Sequence, residues 1–116
     1  MGKDPHFIIE AFDGDEWSME RYFARLDRCT PCLYEFFIHE GTPDNISFEA
    51  DRLIETLEAS DYALDGFSYT YLDELEESLK YDHMWNFQWT EVLEAARELA
   101  KTYGDENVRI VAFYDY

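Results

Sequence analysis

Two cysteines, three histidines and a short run of carboxylates are the residues best suited by type to chemistry. Cys29-Thr30-Pro31-Cys32 has the C-x-x-C spacing shared by thiol redox centres and zinc half-sites. A redox pair needs its first cysteine at a helix N-terminus behind a strand, where the macrodipole lowers the thiol pKa. Here the order is reversed, with a predicted helix before the pair and a predicted strand after it. Zinc needs four ligands, and His6, His39 and His83 are scattered without paired spacing. The pair is therefore expected to form a connecting turn with reduced thiols, and neither metal nor cofactor is expected. Asp13-Gly14-Asp15-Glu16 has the outline of a calcium loop, but the twelfth position, where an EF-hand carries glutamate, falls on Ala24. Helix capping accounts for it better. No histidine has a serine or cysteine partner in a nucleophile–base arrangement, and there is no glycine-rich phosphate loop. Carboxylate pairs are too abundant to single out one acid–base couple. The chain is not expected to be an enzyme.

What is left is charge. The 116 residues hold 27 acids against 9 lysines and arginines, net −18. Solubility rarely needs more than about 2–8 net charges in a small domain, and the excess opposes folding through self-repulsion. It also excludes direct binding to nucleic acid or anionic membrane, since both require basic patches. The excess is regional. Residues 35–82 carry fourteen acids against Arg52 and Lys80 alone, whereas each flank is net −3.

The acids sit in a chain built to fold. Apolar residues make up 47% and aromatic residues 18%, far above an acidic disordered tail, so one globular domain over residues 1–116 is expected. No apolar run approaches the roughly 20 residues that span a bilayer. The opening MGKDPHFIIEAFDGDE lacks the basic start and long apolar middle of a secretory signal, so a cytoplasmic location is expected.

The elements that must position these residues follow from periodicity. HFIIEAFD (6–13) reads as a strand. DEWSMERYFARLDR (15–28) reads as a helix: Met19, Tyr22, Phe23 and Leu26 recur at i, i+3, i+4 and i+7, and Asp13 with Glu16 has capping-box spacing. CLYEFFIHE (32–40) reads as the second strand, and SFEADRLIETLEAS as a helix opening at Ser47. Phe67, Tyr69 and Tyr71 alternate as in a short strand, although Thr70 and Asp73 also match a helix start. A helix from about Tyr71 to Lys80 follows. After a break at DHMWNFQW, a long helix carries Trp89, Val92, Leu93, Ala96, Leu99, Ala100 and Tyr103 on one stripe and stops at Gly104. NVRIVAFYDY closes as a strand, central because Ile110 to Phe113 is continuously apolar. The order β-α-β-α-(β)-α-α-β predicts an α+β or small α/β fold, a two-layer sandwich. It has a three- to four-stranded sheet and about four helices packed mainly on one face.

On this frame the acids form rows. Asp51, Glu55 and Glu58 share the outer face of the second helix, and Asp73, Glu76 and Glu77, with Glu74 beside them, share that of the third. Neighbours at i, i+3 and i+4 are about 5–6 Å apart and repel by a few tenths of a kcal/mol per pair. Such rows approximate the charge of duplex DNA, one per about 1.7 Å of axis. Tyr62, Tyr69, Tyr71, Tyr81 and Trp85 lie among them, and amphipathic rings are typical interface anchors. Asp51, Glu55, Glu58, Asp61, Asp65, Tyr69, Tyr71, Asp73, Glu74, Glu76, Glu77 and Asp82 are the expected partner-binding residues.

In kind, the chain is similar to the small, acidic, ring-rich DNA-mimic proteins of phages and mobile elements: antirestriction proteins, anti-CRISPR proteins and inhibitors of uracil-DNA glycosylase. The likeness is compositional and assigns no residue a role. The last helix and strand also look like the end of barstar, though the preceding element order differs. The resemblance implies a stoichiometric inhibitor that blocks the nucleic-acid groove of a basic host nuclease or CRISPR effector, with no membrane partner. A homodimer would lengthen its charged surface. The alternatives are an immunity protein that neutralises a basic toxin, an acidic adaptor or structural module, and a solvated acidic surface suited to high salt.

Overall fold

The computed structural model describes residues 4–24, 37–60, 63–81 and 90–115, with the backbone alone at Tyr81. The elements in chain order are β1 (Asp4–Phe12), β2 (Trp17–Phe23), β3 (His39–Glu40), α1 (Phe48–Ala59), β4 (Leu64–Tyr71), α2 (Leu72–Tyr81), α3 (Thr90–Tyr103), a 3-10 turn (Asp105–Asn107) and β5 (Val108–Asp115). The fold is mixed α+β. One five-stranded sheet has the order β2-β1-β5-β4-β3, with every neighbouring pair antiparallel. The described residues thus give five strands and three helices, where three to four strands and about four helices were expected.

The layering also differs from expectation. Side chains alternate across a strand, and in β1 both sets are apolar. Phe7, Ile9 and Ala11 pack with Val108, Ile110 and Ala112 of β5 under α2 and α3. Ile8 packs with Val111 and Phe113 against Ala50 and Ile54 of α1. Helices therefore cover both faces in three layers rather than two. The central strands are the buried ones, with every residue of β5 withdrawn from solvent, as its continuous apolar run required.

Residues 17–23 form a strand and not the start of the expected helix. β2 returns along β1 as a hairpin, with Phe12 opposite Trp17 and Phe7 opposite Phe23. A register shift beside Ile9/Glu10 leaves Glu20 as an extra residue, so Met19 and Tyr22 both face α1 while Phe23 faces α3. A bulge of this kind inserts one residue and shifts the alternation by one. Two residues three apart then share a face, which imitates helical spacing. The Asp13–Glu16 spacing has a matching explanation. The Asp13 carboxylate accepts from the Asp15 and Glu16 amides at 2.9 and 3.0 Å. That is the bond of an N-cap, used here to close a turn, with Gly14 at φ +107° inside it. The remainder of the predicted helix, residues 25–28, lies outside the described residues.

The second predicted strand reduces to His39–Glu40, since Phe37 and Ile38 are irregular and residues 32–36 lie outside the description. Cys29, Cys32 and the break at 82–89 are likewise outside it. The helix at Ser47 forms as expected, and the Ser47 hydroxyl accepts from the Ala50 amide at 3.2 Å. Among the described residues no helix is long and apolar enough to cross a membrane.

Candidate functional site

The expected partner-binding residues do not form one surface. Asp51, Glu55 and Glu58 are exposed on α1, which covers one face of the sheet, whereas Asp73, Glu74, Glu76 and Glu77 are on α2, which covers the other. Asp61 and Asp82 lie outside the described residues. Asp65 is exposed in β4, at the edge bordered by β3.

The two rows also differ in how their charge is compensated. On α2, Glu76 takes a forked contact from Arg97 of α3, with N–O distances of 2.6 and 3.1 Å. Glu77 accepts from Lys80 at 3.0 Å. Glu74 accepts from His39 at 2.8 Å and from the Tyr71 amide at 3.1 Å. The Tyr71 contact is the reciprocal half of a capping box, with Tyr71 at the cap and Glu74 three residues on. The helix start is thus one residue later than the Thr70–Asp73 spacing implied. On α1, the carboxylates of Asp51, Glu55 and Glu58 have no ion-pair or hydrogen-bond partner among the described residues.

Tyr69 and Tyr71 project from β4 on the α1 side, half-buried, with ring centroids 6.1 Å apart and nearly perpendicular. His39 stacks on Tyr69 at 4.8 Å and meets Tyr71 edge-on at 5.9 Å. Trp17 of β2 closes the row at 5.9 Å from Tyr71. Burial raises the Tyr69 phenol pKa above its usual value, and Tyr71, Asp44 and Glu74 add to the rise while Arg109 opposes it. His39, Trp17 and Asp44 were not among the predicted residues. Each lies far from Tyr69 in sequence: the sheet brings His39 and Trp17 to it, and the loop between β3 and α1 brings Asp44.

Below the rings lies a buried polar centre that sequence reasoning missed. Arg109 of β5 donates from Nε to Glu10 Oε1 at 2.6 Å, with both side chains 0% exposed. Its remaining nitrogens donate to Asn45 Oδ1 and Asn45 O, and its guanidinium lies 3.8 Å from the centre of the Trp17 ring. Glu10 Oε2 accepts from the Ser47 amide at 2.8 Å. The centre therefore ties the middle of the sheet to the loop that starts α1. A second buried group joins Tyr22, His6 and Asp115, at 2.7 and 2.6 Å on the two ring nitrogens of His6. Phenol, imidazole and carboxylate in series can relay a proton, but His6 is stacked against Phe113 and sealed from solvent. Its position fits a clamp between β1, β2 and β5. Among the described residues no three His, Cys, Asp or Glu side chains converge in a metal-holding group.

Comparison of the chain with family models, with curated proteins and with solved structures finds no match.

Proposed function

We propose that this chain is a stoichiometric inhibitor that acts as an acidic DNA mimic. It would occupy the nucleic-acid groove of a basic partner such as a defence nuclease or CRISPR effector. The α1 face would make the contact. The observation that supports this is the contrast between the two rows: Glu74, Glu76 and Glu77 of α2 engage His39, Arg97, Lys80 and the helix cap, while the α1 row is exposed and uncompensated among the described residues. From Asp51 to Glu58 the helix rises about 10 Å, and one DNA strand presents about three phosphates over that rise. Three carboxylates stand there. Like charges held together cost stability, and a basic groove would relieve that cost on binding. Charge would steer the encounter, while the half-buried rings and desolvated pairs would supply affinity.

The test is a competition. A basic nucleic-acid-binding protein retained from host extract at low salt is titrated with duplex DNA in the presence of this chain. One equivalent is expected to displace the DNA. Asp51→Lys, Glu55→Lys and Glu58→Lys together should abolish displacement, and Asp73→Lys, Glu76→Lys and Glu77→Lys together should largely preserve it. If no basic protein is retained, or the saturated partner still binds DNA, the proposal is wrong. If only the second triple abolishes displacement, the contact face is α2.

A further inference from the structure

Two grooves meet beside α1. The first, of about 310 Å³, has Ile46, Ile54 and Phe67 as apolar walls with Asp51 and Glu58 at its rim. The second, of about 500 Å³, runs along the start of β4 past Ile38, Glu40 and Asp65. They share Gly41 and Phe67, so they adjoin, and together they are called the trough below. Ile38 is 56% exposed on its wall. Among the described residues, no lysine or arginine lines either part. Asp51, Glu58 and Glu40 have no side-chain partner among the described residues.

We propose that this trough holds an extended polypeptide segment of the partner in which arginine or lysine alternates with aliphatic residues. The inference rests on the inhibitor reading and names the contact chemistry within it. Charge complementarity selects the occupant: long cationic side chains lay their methylene stems on apolar surface and carry their charge to the edge, where Asp51, Glu58 and Glu40 stand. Guanidinium heads suit such sites because their planar forks match carboxylates. An acidic or neutral apolar segment would leave these carboxylates desolvated without a partner.

The segment is held by side chains and not as an added strand. Beside the trough, β4 is bulged opposite β5 between Asp65 and Ser68, with Gly66 at φ +67°. β3 already pairs with Ser68 and Tyr69, and the Gly41 amide donates to the Phe67 carbonyl at 2.8 Å. Bulged and covered edges resist strand addition.

The probe is an acetylated octapeptide of alternating arginine and leucine, compared with arginine–serine and glutamate–leucine octapeptides, titrated into the intact chain. The arginine–leucine peptide should bind one-to-one, at least tenfold tighter than arginine–serine, with glutamate–leucine not binding. Ile38→Ser with Glu40→Gln, both at exposed positions, should weaken it about tenfold while leaving the circular dichroism unchanged. Equal binding of the two arginine peptides, or no effect of the double variant, overturns the proposal. So does displacement of the peptide by micromolar magnesium chloride, which would make the trough a cation site. A dimer in sedimentation that the double variant dissolves would give the trough to a second copy and also overturns it. Ile38→Ser with Glu40→Gln alters the trough and leaves the α1 row whole, whereas Glu55→Lys alters the row and not the trough. DNA displacement lost only in Glu55→Lys would sink the trough and keep the inhibitor. Peptide binding without any DNA displacement would do the reverse.

Discussion

Glu10 and Arg109 meet at the centre of the sheet with no exposure to solvent. Desolvation makes such a pair a weak source of net stability, but losing one partner strands a charge in the interior and costs about 3–5 kcal/mol. Arg109→Met should therefore lower the unfolding free energy by about that amount in urea titration. Glu10→Gln combined with Arg109→Met should recover part of it, since Gln is neutral and still accepts from the Ser47 amide. A double variant no more stable than Arg109→Met alone would mean that the charge is not what matters there. Neither residue stood out in the sequence. Arg109 sits within the run Val108–Tyr114 without belonging to any motif, and its partner is 99 residues away. The rings show the same limit. Tyr69 and Tyr71 were legible as interface candidates, whereas His39 and Trp17 reach them only through strand pairing.

At the scale of elements, α1, α2 and α3 were legible because each keeps one helical period and α1 and α3 carry their own start or stop signals at Ser47 and Gly104, β4 because Phe67, Tyr69 and Tyr71 alternate beyond its bulge, and β5 because its core is an unbroken apolar run. β2 was not, because Glu20 breaks the alternation and Asp13 makes a cap-like bond outside any helix. The Asp13 turn carries a pH signature. Hydrogen bonds from the Glu16 and Asp15 amides hold its pKa below the ordinary 3.8. A carboxylate depressed in the folded state stabilises it above the unfolded pKa, and that contribution is lost as pH falls through the folded value. Asn keeps the accepting oxygen but cannot titrate. Asp13→Asn should thus fold at neutral pH and lose less stability than the parent below about pH 4. Urea titrations from pH 2 to 5 would show it, and parallel acid limbs would mean that the turn bonds do not depend on the charge.

For the whole molecule, the sequence count and the spatial arrangement part company. Residues 35–82 hold most of the excess charge as one tract, yet the fold sends α1 to one face of the sheet and α2 to the other. Nothing local marks that division, although apolar residues on both sides of β1 and β5 hint that both faces are covered. The division has a measurable consequence. The molecule is 36 Å across and 21 Å thick, so at 0.01 M salt, where the Debye length is about 30 Å, its 18 excess charges repel across the whole body. At 1 M the length is about 3 Å and only contacts survive. The melting temperature should therefore rise steadily with sodium chloride. Asp51→Asn, Glu55→Gln and Glu58→Gln together remove three uncompensated charges, so they should raise stability at low salt and change little at 1 M. Asp73→Asn, Glu76→Gln and Glu77→Gln remove the same charge but also the bonds to Arg97 and Lys80. Each lost pair costs a few tenths of a kcal/mol, so the second triple should gain less at low salt and fall below the parent at 1 M. Melting curves of the three proteins across the salt series decide this. Identical curves for the two triples would show that the α2 row is no better compensated than α1, and would remove the reason for assigning the contact face to α1.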